Sequence, residues 1–253
     1  MDEFQDVPMS TKTESDRVST GIEKLDWLLS GGFPKNSTTL VSGTPGSGKT
    51  IMCYHYIADG LKNGENCLYL TSDERVDNIL KQAKELGFDF QSFYDGGQLR
   101  FVYLDLDKID IHKEMEDEIK QGGYRRVVLD SLTPVAEMPV WVSDVHEILT
   151  SETSMTTKKP PTGSVPTVRI HVRHIMNILN KGDCTAMVTS EVPEGSRSLS
   201  RDTVSEFLVD GILLLDLDTT MDRRKLMIRK MRATGHTLKP QNIMITESGI
   251  QFL

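Results

Sequence analysis

Short apolar runs alternate along the chain with longer stretches in which apolar residues recur every three to four positions. Ser37 to Ser42 (STTLVS), Cys67 to Thr71, Leu99 to Leu104, Val127 to Leu129, Ala186 to Thr189 and Gly211 to Leu215 each have the length of a strand. Thr50 to Lys62, Val76 to Leu86 and Val168 to Leu179 carry helical spacing. A strand that is apolar on both faces must be covered on both, so the alternation predicts an α/β fold: a mostly parallel central sheet with helices on both faces. After Ile212 the rhythm changes to strand-like pieces at Lys225 to Arg229 and Asn242 to Thr246, joined by short polar links. These predict a C-terminal antiparallel extension of the sheet.

Punctuation between the runs adds detail. Thr20-Gly21-Ile22-Glu23 has capping-box spacing ahead of Leu25, Leu28 and Leu29, predicting a short helix that stops at Gly31-Gly32. Thr150 to Thr167 (TSETSMTTKKPPTGSVPT) is rich in Ser, Thr and Pro and lacks apolar periodicity, predicting a mobile surface insertion between two helices. Met1 to Asp16 is polar and mixed in charge, without the basic start and apolar core of a secretory signal, and is expected to be a flexible tail. The rest, 17–253, is expected to form one domain; no internal repeat is visible.

Composition narrows the class. No apolar run reaches the roughly 18 residues that would suggest a membrane span. Cys53, Cys67 and Cys184 lie far apart in apolar stretches, without metal-ligand spacing, and are expected to be reduced core thiols in a cytoplasmic protein. A net charge of −8 argues against a dedicated nucleic-acid binder, which needs a basic face to neutralise phosphates.

The chemistry begins at Gly43-Thr44-Pro45-Gly46-Ser47-Gly48-Lys49-Thr50, which matches GxxxxGK[ST], follows a predicted strand and opens a predicted helix. In such a loop the glycines let backbone N–H groups converge on phosphate oxygens, and the helix N-terminus adds its positive dipole end. Lys49 is expected to bridge the β- and γ-phosphates, and the Thr50 hydroxyl to ligate Mg²⁺. Arg126 to Ser131 (RVVLDS) ends a buried-looking strand in one carboxylate, Asp130, at the sheet edge where parallel sheets bind ligands. It fits a second anchor, holding Mg²⁺ through water.

Hydrolysis also requires a group that orients or deprotonates water in line with the γ-phosphate. No acid follows Asp130 directly. Ser72-Asp73-Glu74, after the strand Cys67 to Thr71, places two carboxylates at the same sheet edge, with Glu74 the expected base and Asp73 its assistant.

Taken in order, Ser19-Thr20-Gly21, GTPGSGKT, the paired acids, VVLDSLT, the Thr189 to Glu191 strand end and the KMRATGH element at Lys230 to His236 resemble the KaiC branch of the RecA superfamily, from about Ser19 to Leu253. The resemblance implies a RecA-like P-loop ATPase, ATP as the nucleotide, and a homo-oligomeric, hexameric ring with ATP between neighbours. It also implies that Lys230 and Arg232 reach the γ-phosphate bound by the adjacent subunit. Read alone, these two cations alternate along a strand as an ordinary solvated face would. The sequence departs from the family pattern at Asp73, where a Glu is usual, and at Ala233, where a Gly is usual. It carries one such unit, where the clock protein carries two.

The leading expectation is a slow ring ATPase acting as a signalling or scaffolding switch towards a protein partner of unknown identity. Hydroxyl-rich segments at Ser151 to Ser164 and Ser196 to Ser205 raise autokinase activity as a second enzymatic reading. A recombination accessory binding single-stranded DNA would use Arg169, His171, Arg173, His174, Arg197 and Arg201, but aromatic content is only 6%, with no aromatic and basic interleaving for base stacking. A third reading is a nucleotide-sensing module with little turnover, decided by where the Glu74 side chain points. His55 and Trp27 are expected to be packing groups, and Trp141 either a packing group or a residue of a subunit boundary, where aromatic residues are enriched.

Overall fold

The computed structural model describes residues 16–107, 111–138, 141–142, 165–166 and 168–253. In chain order its elements are β1 (Arg17–Val18), α1 (Glu23–Leu28), β2 (Phe33–Pro34), β3 (Thr38–Gly43), α2 (Lys49–Lys62), β4 (Cys67–Thr71), α3 (Val76–Glu85) and α4 (Phe90–Asp95). Then come β5 (Leu99–Tyr103), α5 (Ile111–Gly122), β6 (Arg126–Asp130), α6 (Leu132–Glu137), β7 (Trp141–Val142), β8 (Val165–Pro166), α7 (Val168–Lys181) and β9 (Thr185–Glu191). The chain ends with α8 (Ser205–Leu208), β10 (Gly211–Asp218), β11 (Arg223–Met231), β12 (Gln241–Thr246) and β13 (Gly249–Phe252).

The central sheet has the order β13-β12-β11-β10-β3-β9-β6-β4-β5. From β10 to β5 every pair is parallel, and from β10 outwards to β13 every pair is antiparallel. The parallel sheet and its C-terminal antiparallel extension are thus both present as expected. Period-two alternation divides the strands between two cores. Val41, Tyr69, Val128, Met187 and Leu213 pack with α1 to α4, whereas Leu40, Leu68, Leu70, Val127, Leu129, Ala186 and Val188 pack with α5 to α7.

Among the described residues Arg126 is the largest fully buried side chain. Its guanidinium pairs with Asp59 on α2 at 2.8 Å and with Glu65, donates to the Tyr56 and Ser19 carbonyls at 2.8 Å, and lies over the Tyr56 ring. A buried charge so fully partnered ties β6, α2 and the segment before α1 into one block beneath the phosphate loop.

Several local expectations are corrected. The capping box does not form: Ile22 is the residue before α1, and Thr20 instead receives the Ile22 N–H on its hydroxyl and donates its own N–H to Asp26. Trp27 is 64% exposed beneath the Lys24 ammonium, so it is not a core packing group. In the insertion, Val165–Pro166 pairs antiparallel with Trp141–Val142, so its C-terminal end is a short strand; 143–164 and the 1–15 tail lie outside the described residues. All three cysteines are buried and unpaired.

Candidate functional site

The strands β3, β4, β6 and β9 end at one edge of the sheet, with Thr71 level with Asp130 and Gly43 level with Glu191. Between these ends lies a cleft of about 340 Å³ lined by Pro45, Gly46, Gly48, Lys49 and Thr50, by Thr71, Asp73 and Glu74, and by Asp130, Ser131, Glu191 and Ile245. The phosphate loop, the Asp130 strand end and the paired acids therefore converge on one cavity.

The loop sequence follows from its backbone. Gly46 (φ 78°) and Gly48 (φ 106°) occupy the left-handed region, which glycine enters without penalty. At Gly43 a Cβ would stand 2.3 Å from the Leu215 carbonyl and 2.6 Å from Ser47 Oγ, so the close approach of β3 to β10 also demands glycine. Lys49 opens α2 and is only 9% exposed. Its ammonium donates to the Gly43 and Thr44 carbonyls at 3.1 Å each. Burial lowers its proton affinity, and Glu191 and then Asp130 oppose that. Ser47 Oγ is buried with no hydrogen-bond partner among the described residues. A loop that holds a cation and a helix N-terminus against one cavity is chemically suited to phosphate.

Both oxygens of Asp130 are held. Tyr69 donates its hydroxyl to Oδ2 at 2.7 Å, and Thr189 donates to Oδ1 at 2.5 Å. Each oxygen keeps a lone pair for a further donor such as a water, so the carboxylate is oriented without being saturated. With the Thr50 hydroxyl lining the same cleft, the donor set is all oxygen and fits a hard divalent ion such as Mg²⁺.

The paired acids differ. Asp73 accepts from Ser131 Oγ at 3.0 Å and has its pKa raised, chiefly by burial, with Asp130 and Glu191 adding repulsion against the Ser131 bond that lowers it. Glu74 lines the cleft while its Oε1 accepts from Gln82 Nε2 on α3, and its N–H and carbonyl both engage the Thr71 hydroxyl.

Lys230 and Arg232 stand apart from this cleft. Met231 pairs with Gly211, which pairs with Thr39, whereas the phosphate loop begins beyond Gly43. At about 3.3 Å per residue, that places the two cations some 13 Å down the sheet, towards its opposite edge.

Sequence reasoning missed Glu191, Tyr69 and Thr189 as members of the site. The Thr-Ser-Glu strand end had been noticed, but that Glu191 faces Lys49 depends on β9 lying beside β3, which no local pattern encodes.

A family model described as "ATPase: KaiC" matches residues 18–150 and 154–253. The chain belongs to the KaiC ATPase family. Among relatives, a UPF0273 protein of Pyrococcus horikoshii is 30% identical over 243 residues, covering 92% of both chains. The circadian clock oscillator protein KaiC of Picosynechococcus sp. is 28% identical over 237 residues, covering 92% of this chain and 44% of that protein. The crystal structure of a KaiC-like protein from Pyrococcus horikoshii superposes with a TM-score of 0.75 at 27% identity, covering 94% of this chain and 98% of that one. The RecA-like fold and nucleotide binding follow from this membership. Among the described residues no helix is long and apolar enough to cross a membrane.

Proposed function

We propose that this protein is a Mg²⁺-dependent, slow ATPase of one domain (17–253), cytoplasmic, working as a homo-oligomeric ring whose nucleotide state switches its contacts with a partner protein. The observation that carries the reading is a separation. The phosphate loop, Asp130 and the acids share one edge of the sheet, while Lys230 and Arg232 lie towards the other. Head-to-tail packing of copies would bring one subunit's cations to the next subunit's cleft, the heterologous contact that closes a ring.

In this arrangement Lys49 leaves its loop carbonyls to bridge the β- and γ-phosphates. Thr50 and Asp130 would hold Mg²⁺, which would supply charge neutralisation at the phosphates. Asp73, whose basicity burial raises, and Glu74 orient and deprotonate the attacking water. Lys230 and Arg232 of the neighbour stabilise charge on the transferring phosphoryl group.

A second reading, nucleotide sensing with little turnover, draws on the Glu74–Gln82 hydrogen bond, which turns the expected base towards α3. The DNA-binding reading has no such support. His171 is fully buried, Arg201 is paired with Glu137 at 3.0 Å, and Arg169 and Arg173 form an exposed i,i+4 face. Of the two hydroxyl-rich segments raised for autokinase activity, 151–164 lies outside the described residues, and in Ser196 to Ser205 the hydroxyl-bearing Ser200 and Ser205 are buried while Ser196 and Thr203 are exposed.

The test is Mg²⁺-dependent ATP hydrolysis by wild type and Glu74→Gln, with oligomeric mass recorded with and without nucleotide. Turnover by the wild type, its loss with retained binding in the variant, and a ring in the presence of ATP are the expected results. Binding without turnover by monomers of both proteins would favour the sensing module.

A further inference from the structure

Lys230 and Arg232 are not loose surface cations. Lys230 Nζ donates to the Val209 carbonyl at 2.6 Å and to the Glu206 carbonyl at 3.3 Å, at the end of α8. Arg232 Nη1 lies 3.0 Å from Asp210 Oδ1, although the arginine side chain is 58% exposed. Asp210 itself is pinned from two strands. Its N–H donates to the Thr38 carbonyl at 2.9 Å, and its Oδ2 accepts the Thr38 N–H at 3.1 Å. Its carbonyl accepts the Arg232 N–H at 2.9 Å. The carboxylate thus has one oxygen fixed to β3 and the other aimed at an outward-reaching guanidinium.

An isolated exposed ion pair adds little to stability. What a charge-assisted bond from a fixed carboxylate does supply is direction, because a long arginine side chain otherwise samples many rotamers. We infer that Asp210 is a positioning residue for Arg232, holding that guanidinium at the angle at which it meets the nucleotide bound by a neighbouring subunit. The inference rests on the ring reading above. It also links the two ends of one subunit mechanically, since Thr38, which pins Asp210, begins the strand that ends at the phosphate loop.

The experiment measures steady-state ATP hydrolysis, with melting temperature, for wild type, Asp210→Asn, Arg232→Ala and the double variant. Asparagine keeps an oxygen for the Thr38 N–H and removes the charge that orients Arg232. The expected result is a kcat about tenfold lower for Asp210→Asn, with KM and melting temperature near wild type. The double variant should be no slower than Arg232→Ala alone, because the two residues act as one unit. A wild-type kcat for Asp210→Asn beside an impaired Arg232→Ala would overturn the positioning role and leave the ring reading standing. Losses that add in the double variant would also overturn it, since Asp210 would then act elsewhere. An Arg232→Ala variant with undiminished kcat would overturn both.

Discussion

At the scale of single residues, backbone conformation makes the sharpest demands. Ala233 sits at φ 54°, a left-handed conformation that costs an L-residue with a Cβ roughly 1–2 kcal/mol. It follows Arg232 at the position where the resemblance led us to expect glycine. The Ala233→Gly variant should relieve that strain, minus the extra chain entropy that glycine loses on folding, for a net gain of about 0.5–1 kcal/mol. Calorimetry should show the melting temperature rising by about 2 °C. Gly43 argues in the opposite direction. The Gly43→Ala methyl group would collide with the Leu215 carbonyl and with Ser47 Oγ. The first is backbone and cannot swing away, so β3 and the loop must shift. We expect at least a tenfold loss of affinity for a fluorescent ATP analogue, because the loop's N–H groups must converge to bind phosphate. Far-ultraviolet circular dichroism should stay near wild type.

At the scale of elements, α5 and α7 pack through histidines. His112 contacts His171 and His174, with ring centroids 4.6 and 5.2 Å apart, beside Glu116 and Lys181. Burial pushes His112 down to about 3 and His171 down to about 4, with neighbouring imidazoles adding to the depression. Above pH 6.5 both rings are neutral whether the chain is folded or not, and the full stability is present. As pH falls below 6.5 the unfolded chain takes up protons that the folded chain refuses, so stability is lost progressively down to pH 4 and 3. By pH 5 the loss is on the order of 2 kcal/mol per ring. Thermal melts at pH 7 and pH 5 should show a clear drop for wild type and a smaller one for His171→Leu. This cluster also marks a limit of sequence reading. The phosphate loop and the strand ending in Asp130 were legible because each is a contiguous run whose chemistry depends on its immediate neighbours. His112 and His171 belong to helices far apart in sequence, and only the packing of α5 on α7 brings them together. Glu191 was hidden for the same reason, its partner Lys49 lying on another element. Trp27 was misread because helical periodicity assigned it to a face that the fold leaves open.

At the scale of the whole molecule, the proposed division of the site between copies makes a prediction that no single-subunit enzyme would meet. A Lys49→Ala subunit loses its own phosphate anchor but keeps Lys230 and Arg232. An Arg232→Ala subunit keeps its anchor but offers a crippled cation to its neighbour. Each variant alone should hydrolyse ATP slowly. In an equimolar mixture that exchanges subunits at random, an intact cleft meets an intact Arg232 at about one interface in four, as expected for a heterologous ring with one cleft per interface. The mixture should therefore recover about one quarter of the wild-type rate. Recovery would require both variants in one assembly, so it should vanish when the proteins are mixed under conditions that prevent exchange. If Arg232 instead served its own subunit's cleft, every chain in the mixture would carry one disabling change on its own site. The rate would then remain at the mean of the two variants however long they were mixed. Recovery reads the direction of the contact as well as its existence, because only the pairing of an anchored cleft with a neighbour's arginine can restore turnover.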